Sequence, residues 1–361
     1  MEKCQTRAFN RVLPLMVLFL LCACPQTADT PKSEASGAQA PGVGKEQAAT
    51  KQTLTVYCGR KKKLIGTVLD GFQAANPNID LKVKYAGTAQ LAATLAEEGE
   101  KSPADVFIAQ DASTLAVLEG QKRFALMDEA VSSRVSDGFK SATNSWLGFA
   151  GRSRVLAYNK EKLKPSDLPK NVDELTTKKW EGRVGWAPEN ASFQSFVAAM
   201  LQLRGPDKTK AWLKGMKANQ PKGFPSNTPA VLALSRGEID VALTNHYYLY
   251  RLKSEYGDAF PVENHFFNQA DAASMVNIAG VGILKSSQNQ KHAQALVNYL
   301  LSAEVQAKLV KQNHEFPIVA SVAPPQGLPP ISELKTPAIN LADLDDLKQT
   351  ISLLRETGTL P

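Results

Sequence analysis

The chain has 361 residues, a formal net charge of +7, 43% hydrophobic and 7% aromatic residues, and four cysteines. Its positive charge is mild and dispersed. Short basic runs such as Lys61-Lys62-Lys63 and Lys178-Lys179 are not interleaved with aromatic residues, which argues against a polynucleotide partner. Four scattered histidines, with no Gly-x-Ser-x-Gly elbow, Walker loop, His-Glu-x-x-His pair or dinucleotide fingerprint, point away from an enzyme.

In residues 1–23, Lys3, Arg7 and Arg11 precede an apolar stretch, Val12 to Ala23, broken only by Pro14. This reads as a secretory signal, too short and wrongly flanked to span a bilayer. It ends Leu21-Cys22-Ala23-Cys24, which resembles a bacterial lipobox. Cleavage before Cys24 and lipidation of that residue are therefore expected, with the lipid as the only membrane attachment. Residues 24–52 have almost no large apolar side chains and read as a flexible tether. Loss of Cys4 and Cys22 with the signal and acylation of Cys24 would leave Cys58 alone, so no internal disulfide is expected. No other stretch approaches transmembrane length.

The remaining residues are enough for two domains. Thr53–Tyr57 reads as a buried strand, 64–75 as a helix with apolar helical spacing, and 79–85 as a second, alternating strand. A helix follows from Gly87-Thr88 to Gly99, with Thr88 as a candidate cap. Ala104–Ala109 is a third short strand, with Gln110-Asp111 at the next helix start. This alternation is a doubly wound α/β pattern, in which ligands sit beyond the carboxyl ends of the strands. Later come a long extended stretch over 146–158, a strand over 182–187, and a helix over 191–203 capped from Asn190. A further helix opens at Asn227, with Pro229 in its first turn. The strand 239–244 then delivers the chain into Asn245-His246-Tyr247-Tyr248. A second extended stretch over 274–284 is followed by helices from Lys291 onward. The expectation is two α/β lobes joined by crossing strands: 53–148 in the first, 149–274 in the second, and 275–361 returning to the first with some packing on the second.

Tyr247-Tyr248 is the most telling pair. A phenol with an ordinary pKa near 10 ligates only when a strong Lewis acid strips its proton, so adjacent phenols suit a hard, highly charged cation such as Fe³⁺. The plain alternative is interfacial packing. Two phenolates balance only part of a ferric charge, and an outside anion could supply the rest. Asn190-Ala191-Ser192 and Asn227-Thr228 lie at helix starts, where they could bind an anion or simply cap. Arg60 and Lys61 could add charge-assisted contacts. Asn245 could join the anion or cap the tyrosine helix. Asp111 could be a ligand or only complement a helix dipole. His246 precedes the pair but points away on a helix, Cys58 is too soft a ligand for ferric ion, and Arg152 and Arg154 read as braces of the long strand.

The ordered segments Val56 to Arg60, Ser102 to Phe107, Gly151 to Val155, Lys179 to Arg183, Gly237 to Asp240 and Asn245 to Tyr248 resemble the bacterial periplasmic ferric-ion-binding proteins. The likeness runs through roughly 53–358. It implies a two-lobed, type II-like periplasmic-binding-protein fold closing on Fe³⁺, held by Tyr247 and Tyr248 with a synergistic anion, carbonate or phosphate. It also implies a monomer that delivers its ion to an ABC permease and its ATPase. Where some members place a histidine, a glutamate and a third tyrosine, this chain has Lys61, Gln110 and the segment Ala191-Ser192-Phe193. The open alternative is a binder of another small solute in the same cleft: phosphonate, phosphate or sulfate, or thiamine or a polyamine.

Overall fold

The computed structural model describes residues 51–339, 341 and 347–361. The expected signal at 1–23, the lipidation site Cys24 and nearly all of the tether lie outside them. Three strands, β1 (Gln52–Cys58), β2 (Ile79–Tyr85) and β3 (Val106–Ala109), run parallel in the order β2-β1-β3. Their crossovers are α1 (Lys62–Ala75) and α2 (Thr88–Glu98), and α3 (Ala112–Gly120) leaves β3. Helix α1 buries Ile65, Val68, Leu69 and Phe72, the one-face spacing of an amphipathic helix against a sheet.

After the short α4 (Glu129–Ser132) comes β4 (Trp146–Asn159), every residue of which is buried. Then follow β5 (Val184–Trp186), α5 (Ala191–Ala218), β6 (Lys222–Gly223), α6 (Asn227–Ser235), β7 (Val241–Asn245), α7 (Tyr247–Tyr256), β8 (Val262–His265) and β9 (Val276–Ile283). Helices α8 (Gln290–Leu300), α9 (Ala303–Asn313) and α10 (Leu347–Glu356) follow β9. The sheet path is β2-β1-β3-β9-β4-β7-β5-β6, with β8 also on β4. This is the two-lobed α/β fold.

The two extended stretches play unequal parts. Residues Trp146–Ser153 of β4 pair with β9, and Arg154–Asn159 pair with β7 and β8, so β4 carries the chain from one sheet segment into the other. Strand β9 pairs with β3 and β4 only, among the described residues. The sequence reading treats both stretches as crossing strands; β4 itself pairs in both sheet segments, and the chain passes from β8 on its second half to β9 on its first.

Two local features set the ligand side of the first segment. Thr88 is the first residue of α2 and Gly87 occupies the cap position, which corrects the expected Thr88 cap. The Thr88 hydroxyl instead donates to the Gly59 carbonyl (3.3 Å) and accepts from the Gln110 backbone N–H (3.2 Å), tying together the ends of β1 and β3. A Cβ on Gly59 would lie 2.3 Å from Thr88 Oγ1, so only glycine permits this approach. Helix α5 outruns the expected 191–203 because it restarts after a break. Gly205 takes φ 78°, and Pro206, which lacks a backbone N–H, sits in the first turn of the resumed helix.

Two of the ordered segments meet in the second sheet segment. Arg183 Nε donates to Asp240 Oδ2 at 2.5 Å, and Lys162 Nζ donates to Oδ1 at 3.0 Å. Burial works to raise the Asp240 pKa, but the hydrogen bonds from Arg183 and Lys162 outweigh it and hold the carboxyl below its ordinary value. Because the folded value is depressed, the stabilisation is complete above the unfolded carboxyl range near 4 and disappears as pH falls through the folded value. Asp240→Asn should therefore cost about 1 kcal/mol at pH 7, the partners being partly solvated. Urea unfolding at pH 7 and pH 3 checks this: the gap between variant and parent should narrow at the lower pH.

Candidate functional site

Strand β7 ends at Asn245, and Tyr247 and Tyr248 occupy the first turn of α7. The helix is held by Leu249 and Leu252, buried in a small core with Ala230, Val231, Leu234 and Phe260. Burying each such side chain is worth about 1.5–3 kcal/mol, enough to fix where the phenols stand. Successive helical side chains normally diverge by roughly 100°. Here the two rings stack, with centroids 4.4 Å apart and planes 28° from parallel. Burial pushes the Tyr247 phenol well above its ordinary pKa, and Tyr248 adds to the rise while Arg152 opposes it. Only a strong Lewis acid at the oxygen would remove that proton near neutral pH.

Both phenols line a cavity of about 480 Å³, together with Lys61, Gln110, Asn190, Ser192 and Asn245. A neighbouring cavity of about 430 Å³ shares Gln110, Ser192 and Asn245 and adds Asp111. Most of the sequence-derived residues are therefore brought to one place, across the ends of β1, β3, β5 and β7. Their side chains resolve several alternatives. Asn190 caps α5, its Oδ1 accepting from the Ser192 N–H at 3.0 Å and the Ser192 hydroxyl at 2.7 Å. Asp111 caps α3 by accepting from the Thr114 N–H at 3.0 Å. Asn245 does not cap α7; its Oδ1 accepts from Arg154 Nη1 at 3.1 Å. Asn227 lines neither cavity, but its Nδ2 donates to Ser192 Oγ at 3.2 Å from behind.

Arg60 departs from expectation as a cleft contact. It is 1% exposed and turns into the interior, where Nη2 donates to both Glu315 carboxylate oxygens at 3.0 and 2.8 Å. Glu315 gives the buried charge its counter-ion.

Arg152 and Arg154 are the residues that sequence reasoning undervalued. Both are buried, and both line the 430 Å³ cavity. Arg154 Nη1 reaches Ser192 Oγ and Asn245 Oδ1, both at 3.1 Å, while its Nε and Nη2 have no partner among the described residues. Burial lowers its pKa to about 10, well above neutrality, so it remains a cation. Arg152 Nη2 donates to the Gln110 carbonyl, and its Nε lies 3.9 Å from Glu315 Oε1. The available signal was period-two spacing: two arginines on the same face of a strand otherwise made of small and apolar residues.

His246 is a structural pin. Fully buried, its Nδ1 accepts from the Ser153 N–H at 3.1 Å and its Nε2 donates to the His314 carbonyl at 2.7 Å, so both ring nitrogens are occupied. Its ring meets Tyr247 edge-on at 5.8 Å and steadies it. Cys58 is buried, with a weak hydrogen bond from its Sγ to the Arg60 carbonyl. Among the described residues no group of three or more His, Cys, Asp or Glu side chains could hold a metal ion. The cleft offers hard phenolic oxygens and buried guanidinium cations.

The cluster sets a stability prediction. Glu315→Gln leaves Arg60 buried without its counter-charge, and Arg152 without its nearest carboxylate. Breaking one side of such a pair costs about 3–5 kcal/mol, to be read from denaturant unfolding at neutral pH. A loss below about 1 kcal/mol would show that the pair does not anchor this face.

Comparison with known proteins places this geometry. Residues 101–348 match the family model described as bacterial extracellular solute-binding protein. The Fe(3+)-binding periplasmic protein of Serratia marcescens is 30% identical over 319 residues, covering 88% of this chain and 94% of that protein. The crystal structure of iron-bound HitA from Pseudomonas aeruginosa is 34% identical with a TM-score of 0.76, covering 85% of this chain and 99% of that one. A Trichodesmium protein (IdiA, FutA) in complex with iron and citrate is 27% identical with a TM-score of 0.71, covering 85% and 99%. The chain belongs to the bacterial extracellular solute-binding proteins, and the relatives it matches here are iron-binding members of that class.

Proposed function

We propose that this chain is an extracytoplasmic binding protein that captures Fe³⁺ between two lobes. Tyr247 and Tyr248 supply phenolates, and a synergistic anion, carbonate or phosphate, completes the site. The observation that carries the reading is the stacked phenol pair facing a cavity rimmed by helix starts and buried guanidinium groups. The names of its relatives support the same cargo. In this reading the ordinary barrier to phenol ionisation is overcome by the ion itself. Lys61, Gln110, Ser192 and Asn245 stand where an accompanying anion would be held. Arg154 and Asn227 both donate to the Ser192 hydroxyl oxygen and would hold it in place. Hinged closure of the lobes would then present the loaded protein to an ABC permease powered by its ATPase. The protein would work as a monomer, tethered at the periplasmic or outer face by lipid on Cys24.

A second reading has a specific observation behind it. The unpartnered donors of Arg152 and Arg154 suit an oxyanion such as phosphate, phosphonate or sulfate bound without metal. A thiamine or polyamine cation fits poorly beside them. Equilibrium dialysis with radioactive iron separates the two readings. Tyr247→Phe and Tyr248→Phe should each weaken iron binding at least 100-fold, about 2.7 kcal/mol, with unchanged thermal unfolding of the metal-free protein. Wild-type iron affinity in both variants would exclude the tyrosinate site and favour the oxyanion reading.

A further inference from the structure

Building on the reading that the tyrosine pair holds ferric ion, we propose that His246 is a positioning residue that governs how long the ion is kept. It acts by fastening the tyrosine helix to residues 314–316, the stretch of chain that follows α9. Three observations converge on this.

The first is bonding. His246 sits between β7 and α7, directly before Tyr247, and has no exposed surface. All four of its polar atoms are engaged. The backbone N–H donates to the Ser153 carbonyl at 3.0 Å, and Nδ1 accepts from the Ser153 N–H at 3.1 Å. Nε2 donates to the His314 carbonyl at 2.7 Å, and the His246 carbonyl accepts from Asn264 Nδ2 at 2.9 Å. One residue thus joins β4, β8 and the chain after α9. Bonds at both ring nitrogens select the Nε2–H tautomer and fix the plane of the ring. Space filling alone does not call for this: an apolar ring would pack, but would leave the His314 carbonyl without this donor.

The second is the set of rings around it. Phe316 lies 4.6 Å from the His246 ring, and Tyr247 meets that ring edge-on at 5.8 Å. One turn further along α7, Tyr250 stacks on His314 at 5.5 Å, with planes 24° from parallel. The tyrosine helix and residues 314–316 therefore interlock through aromatic side chains as well as through the hydrogen bond. A shift of His246 moves the phenol beside it.

The third is that the far end of this link returns to the cavity. Asn313 Nδ2 donates to the Leu64 carbonyl of α1 at 2.9 Å, and Glu315 pairs with Arg60 at 2.8 Å. Phe316 exchanges two backbone hydrogen bonds with Gly151 of β4, at 2.8 and 2.9 Å. Leu64 lines the same cavity as Tyr247 and Tyr248. Contacts thus run without a gap from Tyr247 through His246 and residues 313–316 to another wall of the tyrosine cavity. An ion that draws on the phenol loads this link, and by reciprocity the link sets the hold on the ion.

The test follows iron release from the loaded protein into excess EDTA by the decay of its phenolate-to-iron absorbance band, and records the energy of that band. His246→Phe keeps a ring but removes both ring hydrogen bonds, and should release iron about 10–100-fold faster with a shifted band. His246→Gln restores an amide N–H that can reach the His314 carbonyl, and should recover part of the retention. Each variant is read well below the unfolding temperature of its metal-free form, because lost stability alone changes neither the band nor the release rate of folded protein. The wild type supplies a test that needs no variant. In histidine-labelled protein, the His246 Nε2–H should exchange with solvent at least about tenfold more slowly once gallium, a diamagnetic trivalent ion, is bound. A wild-type band and release rate in folded His246→Phe, or an exchange rate indifferent to bound gallium, overturns the proposal and leaves the iron reading intact. A wild-type protein that stays colourless with every ferric source overturns the iron reading itself, and the proposal with it.

Discussion

Three guanidinium groups lie buried close together but share one carboxylate unequally: Arg60 and Arg152 lie close to Glu315, while the hydrogen bonds of Arg154 among the described residues go to the neutral Ser192 and Asn245. Charges buried in this way demand compensation. The Arg60–Glu315 pair supplies part of it and anchors the floor of the cleft. The remainder faces the cavities, where phenols and helix starts converge. The site's chemistry follows from this imbalance. In the proposed reading it disfavours a bare cation and favours a cation that arrives with an anion.

The fold serves that imbalance by delivering residues from distant parts of the sequence to one place. Strand β4 carries Arg152 and Arg154 side by side across the junction between sheet segments, β7 launches the tyrosine helix, and α5 begins at Asn190 beside them. His246 joins three elements through both ring nitrogens, so the phenol next to it is positioned by packing and hydrogen bonds rather than by a loop.

Much of this was legible in the sequence because it is local. The alternating pattern of Ile79–Tyr85 specifies β2 to the residue, the apolar spacing of 64–75 specifies α1, and Asn190 announces its helix by ordinary capping chemistry. The tyrosine pair is adjacent in the chain, so its chemistry is visible without a fold. What was not legible depends on partners far away in the chain. Arg60 looks like a cleft residue until Glu315, 255 positions later, claims it. Thr88 resembles a cap until Gly59 and Gln110 draw its hydroxyl away. Arg152 and Arg154 read as strand braces because nothing in their neighbourhood along the chain shows that, among the described residues, no carboxylate pairs with Arg154. Counter-ions separated by such distances along the chain leave no periodic trace.

The central claim is that Tyr247 and Tyr248 become phenolate ligands of ferric ion. The most direct test is a visible-absorbance titration of the metal-stripped protein with ferric ion, performed in carbonate and in phosphate. The account predicts a phenolate-to-iron charge-transfer band that saturates near about one equivalent and is absent from the double variant Tyr247→Phe/Tyr248→Phe. A folded protein that gives no such band, or a band that survives in the double variant, would contradict it.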